Sequence, residues 1–535
     1  IYGTDLEIYN IFNIVSGGPY NMPPGFYTIL KSSAANTARV APVGGVIAAN
    51  FVAERYIPAR RAWRIMSAPT MGQTINQAWQ EGTTNVTPPV NPFPGYGTHI
   101  TGGPVYGSAA NGFDQNPGAA SSLKFYSSAT DSWTNQPNTN ATQVGGTAWM
   151  LFIRGDRGIP LSTNNVPPTP TVLRSRGLLN IGDQVFNINP TGFTAVPNPY
   201  ASPVDFATMT KSNVQNSVWL WDPKMGGANG VGAYVNVSFN GTTWDVTPAS
   251  VSPESQIIQN GQGFLVKTVA AAPGQLIIKE SDKTMTPNMD VFRTARNASG
   301  LRINLQAMNS DGSASLLDEV FSSYGSNFSA KIDQMDASKM PNIEENLAIV
   351  NGDDLLMVER RPALLDEDMI QLKIWNTTPR SYMLEFTPQN LSSTLSAWIV
   401  DNYLQTVTGL PLDKVSNIQF SVTADGASAA SDRFRVVLSS KKPQLPSDFL
   451  TQNIRIFPNP VYGRNINLQF TNTPEGKYQL KVINSIGQVV FMKEIDHKAG
   501  INALQLQLDR GLSKGIYQLQ IGNEKAKASF KLLVN

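Results

Sequence analysis

The stretch Tyr478-Gln479-Leu480-Lys481-Val482 decides the fold at the end of this chain, because apolar and polar side chains alternate along it. A period of two is typical of a strand that buries only one of its faces. The same alternation recurs in short runs at 454–456, 466–470, 504–508, 517–521 and 530–534, and a shorter run joins Val489 to Phe491. Residues 453–535 therefore predict seven short antiparallel strands that pack as a small sandwich.

The turns and the last strand of this segment carry four short motifs. They are Phe457-Pro458-Asn459-Pro460, Gly487-Gln488, Gly515-Ile516-Tyr517 and Lys531-Leu532-Leu533-Val534-Asn535. The two prolines lack amide donors and favour extended geometry before them, so they fix the entry into the first strand and blunt a sheet edge. Gly487 and Gly515 are expected to supply positive φ angles. Seven strands with frequent turns indicate an Ig-like sandwich.

In this order and at this spacing, the motifs resemble the type A C-terminal sorting domain of proteins exported by the type IX secretion system of Bacteroidota. The resemblance covers residues 453–535 only. It implies that the segment is recognised by the outer-membrane translocon and its shuttle protein, and that the chain reaches the cell surface or the exterior. The alternative is an Ig-like module that only packs.

The resemblance also implies where recognition takes place, and we expect the terminal strand, Lys531–Asn535, to be the recognised part. The candidate recognition residues are Phe457, Pro458, Asn459, Pro460, Gly487, Gln488, Gly515, Ile516, Tyr517, Lys531, Leu532 and Val534. In many members of the family the domain is removed and the cargo is anchored, so a cell-surface glycan or lipopolysaccharide anchor is a further expected partner.

Composition bounds the rest of the chain. Its 535 residues suffice for three or four domains, and it contains no cysteine, 43 glycines and 36 prolines, which favours turn-rich β structure without disulfides. A net charge of +2 gives no field for collecting nucleic acid. No apolar run has the length of about 18 residues that a membrane-spanning helix needs. Because the resemblance implies export, Ile1 is expected to be a processed start or part of a longer protein.

The whole chain is predicted to be all-β, a tandem of β-sandwich domains. The expected segments are 1–50, the tail of an upstream β region; 51–275, a β-sandwich domain with long polar loops; 276–440, a second β-sandwich domain; 441–452, a linker; and 453–535, the Ig-like domain. The two larger segments resemble regions that precede sorting domains in large Bacteroidota surface proteins, a resemblance that implies no chemistry.

Residues 56–66 predict one strand whose outer face carries Arg60 and Arg64. Arg61 and Arg64 beside Trp63 form a candidate binding stripe; the alternative is that they cover a ring or pair with acids across a sheet. The tripeptide Arg154-Gly155-Asp156 matches a cell-adhesion motif, but a surface ion pair among Arg154, Asp156 and Arg157 is the expected role.

Metal and catalytic chemistry find little support in the sequence. His99 has no second His or Cys nearby, so we expect it to be hydrogen-bonded within a core or loop. The acids Asp311, Asp318, Glu319, Asp353, Asp354, Asp366, Glu367 and Asp368 leave a structural calcium site open, although they match no EF-hand loop. Otherwise no cofactor is expected. Hydrolase, metalloprotease, P-loop and dinucleotide motifs are absent, which predicts a chain that is not an enzyme.

Three functions remain open at this stage. The first is a secreted or surface-anchored structural or adhesive protein. The second is a carbohydrate-binding module, because aromatic residues such as Trp79 and Trp133 lie among Asn, Thr and Gly in residues 72–145, and flat rings stack on sugars. The third is the non-catalytic end of a secreted hydrolase.

Overall fold

The computed structural model describes residues 4–14, 19–83, 91, 93–114, 120–161, 166–225, 231–248, 254–284, 299–391, 396–443, 449–463, 465–471, 473, 475–497, 504–508, 512–523 and 527–534. Strands dominate these residues, which confirms the all-β prediction. The described residues also form the short α-helices α1 (Ile75–Trp79), α2 (Gly103–Tyr106) and α3 (Phe449–Asn453). Short 3₁₀ turns cover Ala109–Asn111, Glu280–Asp282 and Gly426–Ala429. No helix in the described part of the chain has the length and apolar character needed to cross a membrane.

The chain forms two compact units, one of Ile1–Thr294 and Ile332–Met340, the other of Ala295–Lys331 and Pro341–Asn535. The strands of the first unit are β1 (Leu6–Ile8), β2 (Ile11–Phe12), β3 (Thr28–Leu30), β4 (Arg39–Val40), β5 (Phe51–Ile57), β6 (Ala62–Met66), β7 (Thr70–Met71), β8 (Leu123–Ser127), β9 (Ser132–Asn135), β10 (Trp149–Ile153), β11 (Thr171–Leu179), β12 (Gln184–Ile188), β13 (Phe193–Pro197), β14 (Val204–Asp205), β15 (Thr210–Ser212), β16 (Ser217–Asp222), β17 (Ala233–Phe239), β18 (Trp244–Thr247), β19 (Ile257–Ile258), β20 (Gly263–Lys267), β21 (Gly274–Ile278) and β24 (Ala337–Ser338).

The larger sheets of this unit have the orders β1-β3-β5-β11-β7, β6-β10-β8-β9, β12-β21-β15 and β13-β20-β16-β17-β18. A buried cluster that includes Trp79, Leu123, Trp149 and Leu151 lies between α1 and the inner face of the β6-β10-β8-β9 sheet. The prediction of one strand over residues 56–66 was wrong. The chain turns at Pro58–Arg61, so β5 and β6 belong to different sheets.

The strands of the second unit that precede residue 440 are β22 (Ser299–Met308), β23 (Ala314–Tyr324), β25 (Asn346–Asn351), β26 (Asp354–Arg361), β27 (Asp368–Trp375), β28 (Arg380–Gln389), β29 (Ser396–Asp401), β30 (Thr406–Leu410), β31 (Ser416–Val422) and β32 (Phe434–Ser439). They form one large sheet in the order β30-β29-β32-β27-β25-β26-β23-β22-β28-β31. Its inner face supplies a buried cluster, to which strands from both ends of the sheet contribute. The sheet therefore closes over its own core.

The last strands of the second unit are β33 (Ile454–Phe457), β34 (Asn465–Phe470), β35 (Gly476–Ile483), β36 (Val489–His497), β37 (Leu504–Gln507), β38 (Gly515–Gly522) and β39 (Lys527–Val534). They pair as two sheets, β33-β34-β37 and β36-β35-β38-β39, with a shared buried cluster. Leu450 of α3 is buried in that cluster, so a helix occupies the end of the predicted linker, of which residues 444–448 lie outside the described residues. The Ig-like type of this sandwich stays a prediction.

Candidate functional site

The Phe457–Pro460 turn lies against the terminal strand β39. The side-chain amide of Asn459 makes two hydrogen bonds to this strand. Its Nδ2 donates to the Lys531 carbonyl oxygen at 2.7 Å, and its Oδ1 accepts from the Leu533 amide at 2.9 Å. The Val461 amide donates to the Leu533 carbonyl oxygen at 2.7 Å. Strand β39 is an edge strand of its sheet, so these bonds occupy main-chain groups that would otherwise lie open on that edge. The structure thus joins the first and last predicted motifs.

The Gly487-Gln488 motif forms the turn between β35 and β36. Gly487 has a φ of +85°, which confirms that glycine is needed there. The Asn484 side chain closes the turn, since its Oδ1 accepts from the amides of Ile486 at 3.2 Å and Gln488 at 2.9 Å. Sequence reasoning missed this role of Asn484. An Asn three residues before a turn glycine is the local signal that could have indicated it.

A groove of about 480 Å³ lies on the same sheet, beside this turn. Its lining residues are Ile483, Asn484, Ser485, Ile516, Tyr517, Gln518, Ser529, Phe530 and Lys531. Ile516 is 55% exposed, and the exposed Lys531 forms no ion pair with an acidic side chain of the described residues. The groove therefore combines apolar surface with one available positive charge, and three of the four predicted motifs lie in or next to it.

Several predicted recognition residues do not face the groove. Leu532 is 0% exposed and packs in the core between the two sheets, where a partner cannot reach it in the folded domain. Val534 is half-buried against the same core, and Asn535 lies outside the described residues. The expectation of a positive φ at Gly515 was wrong. Gly515 is the first residue of β38, paired with Val534 in regular strand geometry.

Two family models match the chain. One, described as a domain of unknown function (DUF8693), covers residues 118–438, which is more than half of the chain. The chain belongs to the DUF8693 family. The other, described as a secretion system C-terminal sorting domain, covers residues 455–535. No curated protein matches the chain.

The second match confirms the resemblance read from the motifs, because this domain is the type IX secretion signal. The protein is therefore a type IX secretion cargo that interacts with that machinery and is exported across the outer membrane, to the cell surface or the extracellular space. The groove and the Asn459 contacts both belong to this sorting domain.

Around the start of the DUF8693 region, the predicted surface ion pair of Arg154, Asp156 and Arg157 was wrong. Arg157 is 0% exposed and donates to both carboxylate oxygens of Asp114, at 2.8 and 3.1 Å. Asp156 instead accepts from the Gly95 amide at 2.9 Å and from Asn91 at 3.0 Å. The adhesion-like tripeptide is thus part of a loop scaffold.

His99 is buried, and its Nδ1 lies 3.6 Å from Oδ2 of Asp114. Burial alone would raise the pKa of Asp114, but the neighbouring His99 and the hydrogen bonds and charge of Arg157 place it below its ordinary value. The burial of His99 agrees with the expected place in a core, and its hydrogen bonding stays a prediction. The ion pair with Arg157 holds the Asp114 loop against the end of β10.

The aromatic residues chosen as sugar platforms are less accessible than the sequence suggested. Trp79 is 2% exposed and packs in the core, so its assignment as a stacking ring was wrong. Trp133 is half-buried, and its Nε1 donates to the Tyr234 hydroxyl at 2.6 Å. The spacing of Ile75, Ala78 and Trp79 on α1 was the missed signal, because positions i, i+3 and i+4 share one face of a helix.

Several of the acids considered for calcium bind protein groups instead. Glu319 pairs with Arg302, Asp318 accepts from the Leu347 amide at 2.7 Å, and Asp368 pairs with Arg361 at 2.6 Å. Within the described ranges, no three His, Cys, Asp or Glu side chains lie close enough together to hold a metal ion. The geometry of these residues gives the calcium hypothesis no support.

Proposed function

We propose that the sorting domain presents one composite recognition surface, formed by the groove and by the terminal strand that Asn459 holds in place. The observation that carries this proposal is the pair of hydrogen bonds from Asn459 to Lys531 and Leu533. With the open edge of β39 occupied there, a partner reaches this strand through the sheet face. That face offers Ile516 and Lys531, two of the candidate recognition residues, while Tyr517 borders the groove and packs against the core of the sandwich.

This surface fits a translocon or shuttle segment that contributes apolar side chains and a carboxylate. Apolar side chains would cover Ile516, and the carboxylate would pair with Lys531. Phe457 and Pro458 are exposed at the other end of the Asn459 turn and extend the surface. Gly487 and Gln488 act through the shape of the turn that borders the groove.

Site-specific photo-crosslinking in exporting cells tests this surface. A photoreactive amino acid at Ile516 is expected to cross-link to the export machinery. The matched control is the same amino acid at Glu494, which is exposed on β36 of the same sheet but outside the groove. Equal cross-linking yields from the two positions would contradict the proposal.

We further propose that the remainder of the exported protein is a structural or adhesive component and not an enzyme. Buried ion pairs support a rigid scaffold: Arg157 with Asp114 in the first unit, and Arg433 with Asp401 in the second. A strain lacking the protein is expected to lose surface attachment and to regain it when the gene is restored. Unchanged attachment together with a hydrolytic activity in the purified protein would contradict this role.

A further inference from the structure

Aromatic and cationic side chains meet on the β6-β10-β8-β9 sheet of the first unit, far along the chain from the sorting domain. Trp63 and Phe152 are cross-strand neighbours whose ring centroids are 5.3 Å apart. Lys124 places Nζ 5.2 Å from the centroid of the Trp63 ring, and Arg154 places Cζ 4.7 Å from the centroid of Phe152. These four half-buried side chains are called the aromatic–cation patch.

The positive charges of the patch have no acidic partner among the described residues. Neither Lys124 nor Arg154 forms an ion pair with an acidic side chain in the described part of the chain, and Nη1 of Arg154 is buried there without a hydrogen-bond acceptor. Burial, and next the charge of Arg61, lowers the pKa of Arg154 to about 10. Among the undescribed residues of the first unit, Asp290 is the one acidic residue, and the undescribed residues before 285 contain no Asp or Glu. Half-buried cations without counter-charges are costly, and a bound anion would relieve that cost.

Lys211 is a second lysine that lies over an aromatic ring, and acidic side chains of the protein lie near its charge. Lys211 lies 4.4 Å from the centroid of Phe206, and the carboxylates of Asp205 and Asp282 act on its charge. The patch has the same cation-on-ring geometry without those acids. This contrast distinguishes a ring contact that only packs from one that leaves positive charge for a ligand.

We propose that the aromatic–cation patch binds an acidic polysaccharide, with carboxylates of the polymer on Lys124 and Arg154. The patch spans the three adjacent strands β8, β10 and β6, so its two cations lie on different strands of one sheet. Its few cations, on a protein of net charge +2, match a polymer with one charge per sugar better than nucleic acid, whose phosphates are denser. Export to the cell surface or beyond places the patch where such polymers occur.

Two features predicted from the sequence are corrected by this site. The prediction that Arg64 forms a binding stripe with Arg61 beside Trp63 was wrong. Arg64 is 7% exposed, lies on the opposite face of β6 and donates to the carbonyl oxygens of Arg60 and Ala62. Arg154 was assigned to a surface ion pair. Its actual place on Phe152 makes it, with Lys124, the ligand-binding part of the patch.

Affinity electrophoresis of the full chain in gels containing sodium polygalacturonate tests the proposal, with neutral dextran as the control polymer. Polygalacturonate is expected to retard the wild-type protein and dextran is not. The variants Lys124→Gln and Arg154→Gln are each expected to weaken retardation by about tenfold, the size typical of a lost charge-assisted hydrogen bond. Lys211→Gln is the matched control, expected to bind as wild type.

Each alternative result has a definite meaning. Equal retardation of the wild-type protein and both patch variants, or equal losses in Lys211→Gln, would overturn the assignment of the site. Retardation by dextran would overturn the proposal that the patch recognises charge and would indicate binding of neutral sugars. Tighter binding to single-stranded DNA than to polygalacturonate would overturn the polysaccharide assignment in favour of nucleic acid. Thermal unfolding of Lys124→Gln at the wild-type temperature shows that its loss of binding is not misfolding.

Discussion

The side-chain amide of Asn459 donates to the main-chain carbonyl oxygen of Lys531 at 2.7 Å. The same amide accepts from the next amide facing that edge, at Leu533, so a single side chain behaves like a residue of an added strand. Asn459 and Lys531 belong to two motifs of the sorting signal that lie more than 70 residues apart in the chain. The opening turn thereby fixes the position of the terminal strand.

Replacing Asn459 by Ala is expected to loosen the terminal strand. The change removes two hydrogen bonds at an exposed position, which is worth about 1 kcal/mol of local stability. Hydrogen exchange measured by mass spectrometry should show faster exchange across residues 527–534, while the β22–β28 region stays unchanged. Asn465→Ala, at an exposed position of β34, is the control and should leave exchange in β39 as in the wild type. Unaltered exchange of β39 in Asn459→Ala would contradict the conclusion that Asn459 holds the terminal strand in place.

The two glycines of the motifs, Gly487 in a turn and Gly515 in β38, are expected to respond differently to alanine. Gly487→Ala forces a Cβ into a φ of +85° and should destabilise the β35–β36 turn by about 1 kcal/mol. Gly515→Ala should be nearly neutral, since the added Cβ would meet its nearest neighbour, Cε2 of Tyr517, at an ordinary 3.9 Å. Limited proteolysis of the sorting domain over a temperature series distinguishes them. Equal sensitivity of the two variants would contradict this account.

Reversing the charge of Lys531 tests whether the groove is read during export. Lys531→Glu should lower the exported fraction several-fold, because the carboxylate expected of the partner would then face a like charge. Lys527→Glu makes the same change on the same strand, at an exposed position outside the groove, and should be exported nearly as well as the wild type. Quantitative blotting of cell and medium fractions gives the comparison, and equal export of the two variants would argue against the groove.

Asp114→Asn is expected to destabilise the first unit by about 3 kcal/mol at neutral pH, because Arg157 would keep its charge in a fully buried site. The pKa of Asp114 is lowered in the folded state, so its carboxylate stabilises the fold above the unfolded pKa of about 3.9 and loses that effect as the pH falls through the folded value. The difference in the free energy of unfolding between Asp114→Asn and the wild type should therefore shrink below about pH 4.

Denaturation followed by tryptophan fluorescence can measure this effect, since Trp79 and Trp149 lie in the adjoining core. Asp183→Asn, an exposed carboxylate of the same unit, should unfold as the wild type does. A stability of Asp114→Asn equal to that of the wild type at neutral pH would contradict a structural role for the pair.

Local patterns predicted the strands of the sorting domain well where one face is buried. Tyr478, Leu480 and Val482 all lie in the core as their alternation indicated. Strand β36 runs to His497, well beyond the predicted run from Val489 to Phe491. The sequence did not indicate the extension because β36 is an edge strand on which Met492, Lys493 and Glu494 are all exposed. Alternation disappears where neither face is fully buried.

Long-range contacts could not be read from the sequence. Asp114 meets Arg157 across 43 residues, and Asn459 meets Leu533 across 74, with no periodic signal joining either pair. The recognition motifs were found because each is local. Their union around one groove depends on strand pairing, which the residue pattern leaves undetermined.

Export of the chain lacking residues 531–535 shows directly whether the terminal strand is part of the export signal. Surface and medium fractions of cells with a working type IX secretion system are compared for this chain and the complete one. We expect the shortened chain to accumulate inside the cell envelope while the complete chain reaches the exterior. Equal delivery of the two chains would contradict the assignment of the terminal strand as part of the export signal.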